Sequence, residues 1–492
     1  MDIAQAKQQV KDTVEAYLAV DELGVPRIAP AHQRPMFLVG APGVGKTAVV
    51  SQVADELGIG LVSYSMTHHT RQSALGLPFI VHKSYGADEF DVSEYTMSEI
   101  IASVYDCMQK TGCTQGILFL DEINCVSETL YPSMLQFLQF KTFGRHRVPD
   151  GWVVVCAGNP PEYNRSAHEF DIATLDRLRK VEVEPDFQAW KRFSLEQGAH
   201  PAIVAFLDAN PDCFYSVQST PAGKKFVTAR AWSDLSEVVA LYELMGKTVD
   251  LALIEQYVQD PEIAGRFESY WRMFALYRDA YDVPAILGGK ASDQALERAK
   301  QASFDERIAL VGMLSDGVAA KAAKALAYEQ ALVMLQEALQ AKKDAMAGGI
   351  MPAQALADER ESLLAKANAL RGADALALEK RKVVQQAASW LEECCGCADF
   401  EGVQECFASK VAQLDAEVDA CTAAMDAAYA FVDAAFGRGN ESTMFTTELT
   451  ARKAVVGFVS EFGSDAYFAH NHDLLTEDRA ASLRSRVEGL SL

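Results

Sequence analysis

No stretch of these 492 residues is long and apolar enough to span a bilayer. Residues 1 to 20 also lack an uninterrupted hydrophobic segment of leader type, because Asp2, Lys7, Lys11, Asp12 and Glu15 interrupt their small apolar residues. These absences lead us to expect a soluble cytoplasmic protein that inserts in no membrane and keeps its ten cysteines reduced. Cations are scarce as well. Lys and Arg number 45 against 68 Asp and Glu, a formal net charge of -23. Phosphate binding draws most of its affinity from clustered Lys and Arg, so a broad electrostatic grip on nucleic acid is not expected, although a local basic pore stays open. The paired Cys-x-x-Cys knuckles of ordinary zinc sites are missing too. The crowded Cys394, Cys395, Cys397 and Cys406 are read first as buried reduced thiols on helices, with a four-thiolate zinc site as the alternative.

What is present is the balance of a globular chain, 49% apolar and 23% charged. Single cores stop growing near roughly 250 to 300 residues, so two or three domains are expected. From Met36 to about Lys180 short apolar runs alternate with helical patterns, which predicts a parallel sheet with helices on both faces. The runs are Met36 to Val39, Leu61 to Tyr64, Ile117 to Leu120 and Trp152 to Cys156, with a weaker fifth from Lys180 to Val183. Residues 186 to 281 read as helices, broken by a turn-rich stretch near Pro221 and Gly223, and suit a small helical lid.

Beyond Gly289 Ala, Gln, Glu and Lys dominate, and Gly and Pro are almost confined to breaks such as Gly348, Gly349, Pro352, Gly372 and Gly396. Val311, Leu314, Val318, Ala325, Tyr328, Leu332, Leu335 and Leu339 mark one heptad-like seam. Phe407, Val411, Leu414, Val418, Cys421, Met425, Ala428 and Val432 mark a second. Pairing between chains is possible for such seams, but the glycine breaks favour helices folded back as an antiparallel hairpin or bundle. The expected division is 1–185 for the α/β domain, 186–288 for the lid, 289–440 for the long helical arm and 441–492 for an aromatic segment that packs back on the folded body.

Gly40, Ala41, Pro42, Gly43, Val44, Gly45, Lys46 and Thr47 follow the first strand and precede a helix, in the pattern of a phosphate-binding loop. Glycines let main-chain N–H groups turn toward phosphate, and the helix N-terminus behind them favours negative charge. Lys46 is the candidate cation for the β- and γ-phosphates of ATP, and Thr47 the candidate hydroxyl ligand of Mg²⁺. The strand from Gly116 ends in Asp121 and Glu122, an acid pair suited to holding Mg²⁺ and to polarising an attacking water as general base. After the fourth strand, Asn159 lies at the carboxyl edge of the sheet, where it can orient that water; a plain Gly-Asn-Pro turn is the bland alternative. His68 and His69, imagined with His82 or Cys107 as metal ligands, lack a second pair at ligand spacing.

The loop, the Leu120 to Asn124 strand end and the Gly158-Asn159-Pro160 turn together resemble the MoxR branch of the AAA+ ATPases, over about residues 1 to 245. Leu75 to Pro78, Leu175 to Leu178 and Phe226 to Trp232 agree with the resemblance. It implies a P-loop AAA+ core with an all-α lid and a ring, usually of six subunits, with nucleotide held between neighbours. It further implies that Arg177 reaches into the adjacent subunit's site, with Arg179 as an alternative, and that Arg230 is the lid arginine facing the γ-phosphate of its own subunit. The helical tail after Gly289 departs from compact members. The expected function is ATP-driven remodelling of a separate protein, such as one bearing a von Willebrand A domain. A nucleic-acid motor using Lys141, Arg145, His146 and Arg147, or a slow ATP-dependent switch, are the alternatives.

Overall fold

Continuous apolar runs make strands that can be buried on both faces; all five runs form strands, and those from Ile117 to Leu120 and from Trp152 to Cys156 are buried throughout. The computed structural model describes residues 1–67, 76–86, 88–127, 130–164, 166–220, 223–369 and 375–471. Strands β1 (Met36–Gly40), β2 (Gly60–Ser65), β5 (Gly116–Asp121), β8 (Trp152–Gly158) and β9 (Arg179–Val183) form one sheet in the order β2-β5-β8-β1-β9. Every pairing in it is parallel. Alternate side chains go to opposite faces. Ile117 and Phe119 join the core made with α1 (Ile3–Leu18) and α2 (Lys46–Leu57), where Val10, Val14, Val50 and Val53 are buried. Leu118 and Leu120 face α3 (Glu99–Thr111) and α4 (Tyr131–Phe140) through Ile101, Val104, Phe137 and Leu138. A Cβ on Gly116 would lie 2.6 Å from both the Trp152 ring and the Gly60 carbonyl oxygen, so glycine there makes room for the buried indole.

Local signals start the helices. Asp2 accepts a hydrogen bond from Gln5 N while the Gln5 side chain reaches back to Asp2 N, a capping box at the start of α1. Ser98 caps α3 through Ile100 N.

Among the described residues, three antiparallel strand pairs accompany the sheet: β3 (Pro78–Tyr85) with β4 (Asp88–Tyr95), β6 (Thr142–Phe143) with β7 (His146–Arg147), and β10 (Ser216–Thr220) with β11 (Gly223–Val227). The cations around β6 and β7 are each engaged. Lys141 is buried and donates to Gln33 Oε1 at 2.7 Å and Trp152 O at 2.8 Å. Arg145 pairs with Glu94, Arg147 pairs with Asp150 at 2.9 Å, and His146 Nε2 lies 3.1 Å from Tyr95 O. Burial lowers the Lys141 ammonium to about 8, and Arg147 adds to the effect while Asp150 opposes it.

Residues 1–191, 211–238 and 248–264 make one compact unit; 192–210, 239–247 and the described residues from 265 onward make a second. Within the second unit lie α5 (Pro201–Ala209), α8 (Phe304–Ala341), α9 (Ala375–Cys395), α10 (Phe400–Phe436), α11 (Asn440–Ala451) and α12 (Lys453–Phe462), while α6 (Ala229–Leu244) and α7 (Pro261–Tyr281) contribute their C-terminal parts. Helix α8 has 38 residues, about 57 Å at 1.5 Å per residue. It runs antiparallel to α10 within one chain: Arg307, near the start of α8, lies over the ring of Phe436, at the end of α10, at 5.5 Å, and Lys324 pairs with Glu417 at 2.6 Å. Val311, Leu314, Val318, Ala325, Leu332 and Leu335 of the first seam are buried, as are Cys421, Met425, Ala428 and Val432 of the second.

The seams are nonetheless only part of the packing. Ile308 to Ser315 are buried at eight consecutive positions, so this stretch of α8 is covered on all sides, by α5, α10, α11 and α12 among others. Phe445 and Phe458 of the late aromatic segment are fully buried in this unit, with Phe445 edge-on to Tyr429 at 5.0 Å between ring centres. His68, His69, Leu75 and residues 472–492 lie outside the described residues. Among the described residues, no helix is long and apolar enough to cross a membrane.

Candidate functional site

Strand β1 ends at Gly40, and the chain makes a loop before α2 begins at Lys46. Gly43 and Gly45 adopt φ of 75° and 95°, the left-handed region that side chains disfavour. Gly45 is the N-cap of α2 and offers no side chain to its first N–H groups, leaving them free for an anion. The outside of the loop is held by residues far along the chain. Tyr215 Oη donates to Pro42 O at 3.1 Å, Arg230 N donates to Gly43 O at 3.2 Å, and a Cβ on Gly43 would lie 2.8 Å from Thr228 Oγ1.

Lys46 is buried, and its Nζ donates to Gly40 O at 2.8 Å, Ala41 O at 2.9 Å and Asn159 Oδ1 at 2.9 Å. All three partners are uncharged. Burial therefore lowers its pKa to about 8, with Arg230 adding to the fall and Asp121 and Glu122 opposing it. Thr47 Oγ1 donates to Asp121 Oδ2 at 3.1 Å, and Asp121 Oδ1 accepts from Glu122 N at 2.9 Å. Glu122 has φ of 53°, a conformation that costs a non-glycine residue of order 1 kcal/mol. This kink ends β5 and leads into the turn Ile123–Cys125.

Asn124, in that turn, donates from Nδ2 to Asn159 O at 2.8 Å. Asn159 is thus fixed at its main chain by Asn124 and at its side chain by Lys46. Asn124 Oδ1 is buried with no hydrogen-bond partner among the described residues, and a Cβ on Gly158 would lie 2.3 Å from it. Sequence reasoning gave Asn124, Tyr215 and Thr228 no role. The one available signal was a polar Asn between Ile123 and Val126 just after the acid pair; the contacts of Tyr215 and Thr228 leave none.

The arginines separate. Arg230 is close enough for its charge to act on Lys46, whereas Arg177 is not among the charges that do. Arg177 is exposed and donates to Gln139 Oε1 at 3.1 Å and Ala173 O at 2.7 Å. Arg179 is tied to α1, through Thr13 Oγ1 at 2.7 Å and Gln9 Oε1 at 2.5 Å. One chain therefore gathers Gly40 to Thr47, Asp121, Glu122, Asn159 and Arg230, and leaves Arg177 and Arg179 outside.

The gathered groups fit a nucleotide and its metal. A hydroxyl and a carboxylate oxygen 3.1 Å apart are the hard donors Mg²⁺ prefers, with its other positions left to water and phosphate. Positive-φ glycines, an uncapped helix start and a lysine with only neutral partners suit a polyphosphate. Residues 36–170 match the model of the ATPase family associated with various cellular activities (AAA). The chain carries an AAA ATPase domain. No curated protein matches it. The matched span takes in the loop, the acid pair and Asn159, and stops short of Arg177 and Arg230.

The AAA domain's buried lysine gives a pH prediction. Phosphate beside Lys46 raises its pKa above the free value of about 8, so binding takes up a proton once the free lysine has begun to lose its own. ATP affinity is expected to be flat from pH 6.5 to about 7.5 and then to fall as pH rises through 8, by up to about tenfold per unit. Isothermal titration at pH 9 in two buffers of different ionisation enthalpy should report proton uptake. Constant affinity to pH 9.5 would mean that Lys46 does not face the phosphates.

Proposed function

We propose that the chain is a Mg²⁺-dependent ATPase of MoxR type that works as a ring, with six subunits expected, and uses hydrolysis to remodel a separate protein. The observation that carries the ATPase reading is the chain of contacts from Thr47 to Asp121 and from Lys46 to Asn159, which joins three strand ends at one edge of the sheet. In this reading Thr47 and Asp121 hold Mg²⁺, and Lys46 moves from the loop carbonyls to the β- and γ-phosphates. Bound there, Mg²⁺ would neutralise the negative charge of the phosphates. Asn159 orients a water in line with the γ-phosphorus, and Glu122 accepts its proton as the bond to ADP breaks. Arg230 approaches the same phosphates from its own chain.

A protein rather than a nucleic acid is the proposed substrate, for reasons of charge. The net charge is -23, and each member of the one basic cluster considered for a pore has a partner within the chain. The long helices of the second unit are the proposed partner-facing element, and a von Willebrand A domain protein is the proposed kind of partner.

Arg177 supports the ring. It is exposed, its hydrogen-bond partners are a neutral amide and a carbonyl, its nearby charge is Asp171, and it is not among the charges that act on its own Lys46. Arg177→Ala and Lys46→Ala proteins, each inactive alone, are expected to regain part of the ATPase activity when mixed and reassembled, because mixed rings contain boundaries with both residues intact. No recovery after demonstrated subunit exchange would contradict action across subunits. Recovery with Arg179→Ala in place of Arg177→Ala would move the assignment, against the bonds that tie Arg179 to Thr13 and Gln9.

A further inference from the structure

The cysteines between 394 and 406 take no part in the ATPase chemistry. Among the described residues, no group of three or more His, Cys, Asp or Glu is placed to hold a metal ion. The sulfurs are arranged for another reaction. Cys394, in the last turn of α9, is buried, and its Sγ lies 3.7 Å from Sγ of Cys406, half-buried in the second turn of α10. Cys397, in the connection between the helices, also hydrogen-bonds to Cys406. The group sits beside Leu391 and Val403 in the core where α9 and α10 meet the far end of α8. A disulfide needs its sulfurs about 2.05 Å apart, so side-chain rotation over roughly 1.7 Å would join the pair.

We propose that Cys406 is an oxidation site that closes an intramolecular disulfide onto Cys394 when the protein meets a two-electron oxidant of the peroxide class. The half-buried Cys406 thiolate attacks one peroxide oxygen; the S–O bond forms, the O–O bond breaks and hydroxide leaves, giving a sulfenic acid. Cys394, deprotonated as it reacts, attacks that sulfur; the S–S bond forms, the S–O bond breaks and a second hydroxide leaves. With the two thiol protons, each hydroxide ends as water, so two thiols and one peroxide give one disulfide and two waters. Burial pushes the Cys394 thiol up, aided by the neighbouring sulfurs, which suits it to resolve a sulfenic acid already beside it rather than to attack free oxidant. Reduction by an external dithiol reverses the bond, which ties α9 to α10 next to their connection.

The test uses the full-length protein, a few equivalents of hydrogen peroxide, alkylation of the remaining thiols and mass spectrometry of a non-reduced digest. The expected result is a peptide pair joined through Cys394 and Cys406, loss of two alkylatable thiols out of ten, and their return with dithiothreitol. Cys395 is adjacent in sequence but has Arg360 rather than Cys406 acting on it, and should stay alkylatable as the internal control. Cys406→Ser should abolish the linked pair and leave Cys394 reduced; the wild-type digest decides the matter even if that variant folds poorly. Cys406 left reduced, Cys406 driven to sulfinic acid beside a reduced Cys394, or a bond made with Cys397 instead would each overturn the assignment.

Discussion

Glu122→Gln is expected to bind ATP with Mg²⁺ as the wild type does and to turn it over about 10²- to 10⁴-fold more slowly, the range for loss of a general base. Gln keeps the shape of the side chain and can occupy the same left-handed backbone position. The Glu122 main-chain N–H to Asp121 Oδ1 bond is also kept, so the magnesium ligand stays oriented. What is lost is an acceptor for the water's proton, a need that exists only in the transition state. Equilibrium binding of a fluorescent ATP analogue, alongside phosphate release, separates the two effects. Equal weakening of both would assign Glu122 to binding and remove its role as base.

Lys46→Ala should act earlier. Charge-assisted hydrogen bonds contribute about 1.5 to 3 kcal/mol each, so loss of the cation that meets two phosphates is expected to weaken ATP binding by at least about 100-fold. Folding should suffer little. The ammonium is buried against three uncharged oxygens, and the cost of burying it offsets much of what those bonds contribute. A melting temperature within a few degrees of the wild type, with nucleotide binding gone, is the predicted pair of results. Retained binding would place the phosphates away from the loop.

How far the sequence revealed these features depends on how local their causes are. The inner strands β1, β5 and β8 were legible because strands buried on both faces read as unbroken apolar runs, whereas the edge strands β2 and β9 expose alternate residues and give a weaker signal. The hairpin of β3 with β4 was not legible, since Asp88, Glu89, Asp91 and Glu94 mask the alternation of Phe90 and Val92. The hairpin of β10 with β11 hides the same way, behind Ser216, Gln218, Ser219, Lys224 and Lys225. Heptad spacing found one stripe on α8, yet positions 308 to 315 are buried all round, because neighbours from distant parts of the second unit close over the other faces.

The site divides in the same manner. Loop, acid pair and Asn159 were legible because their chemistry fixes residue type and spacing. The grip of Asn124 on Asn159 and the hold of Tyr215 on Pro42 join residues 35 and 173 positions apart, and no local pattern encodes such contacts. Lys141 illustrates the converse. It read as part of a basic pore cluster, but its ammonium is buried under Gln33, 108 positions earlier in the chain.

Steady-state ATP turnover by the full-length chain, with Mg²⁺ and with the metal chelated, tests the central proposal most directly. The predicted result is hydrolysis to ADP and phosphate that requires Mg²⁺, is lost in Lys46→Ala and falls at least about 100-fold in Glu122→Gln. Turnover that persists without Mg²⁺, or that the double variant Lys46→Ala, Glu122→Gln performs as fast as the wild type, would contradict it.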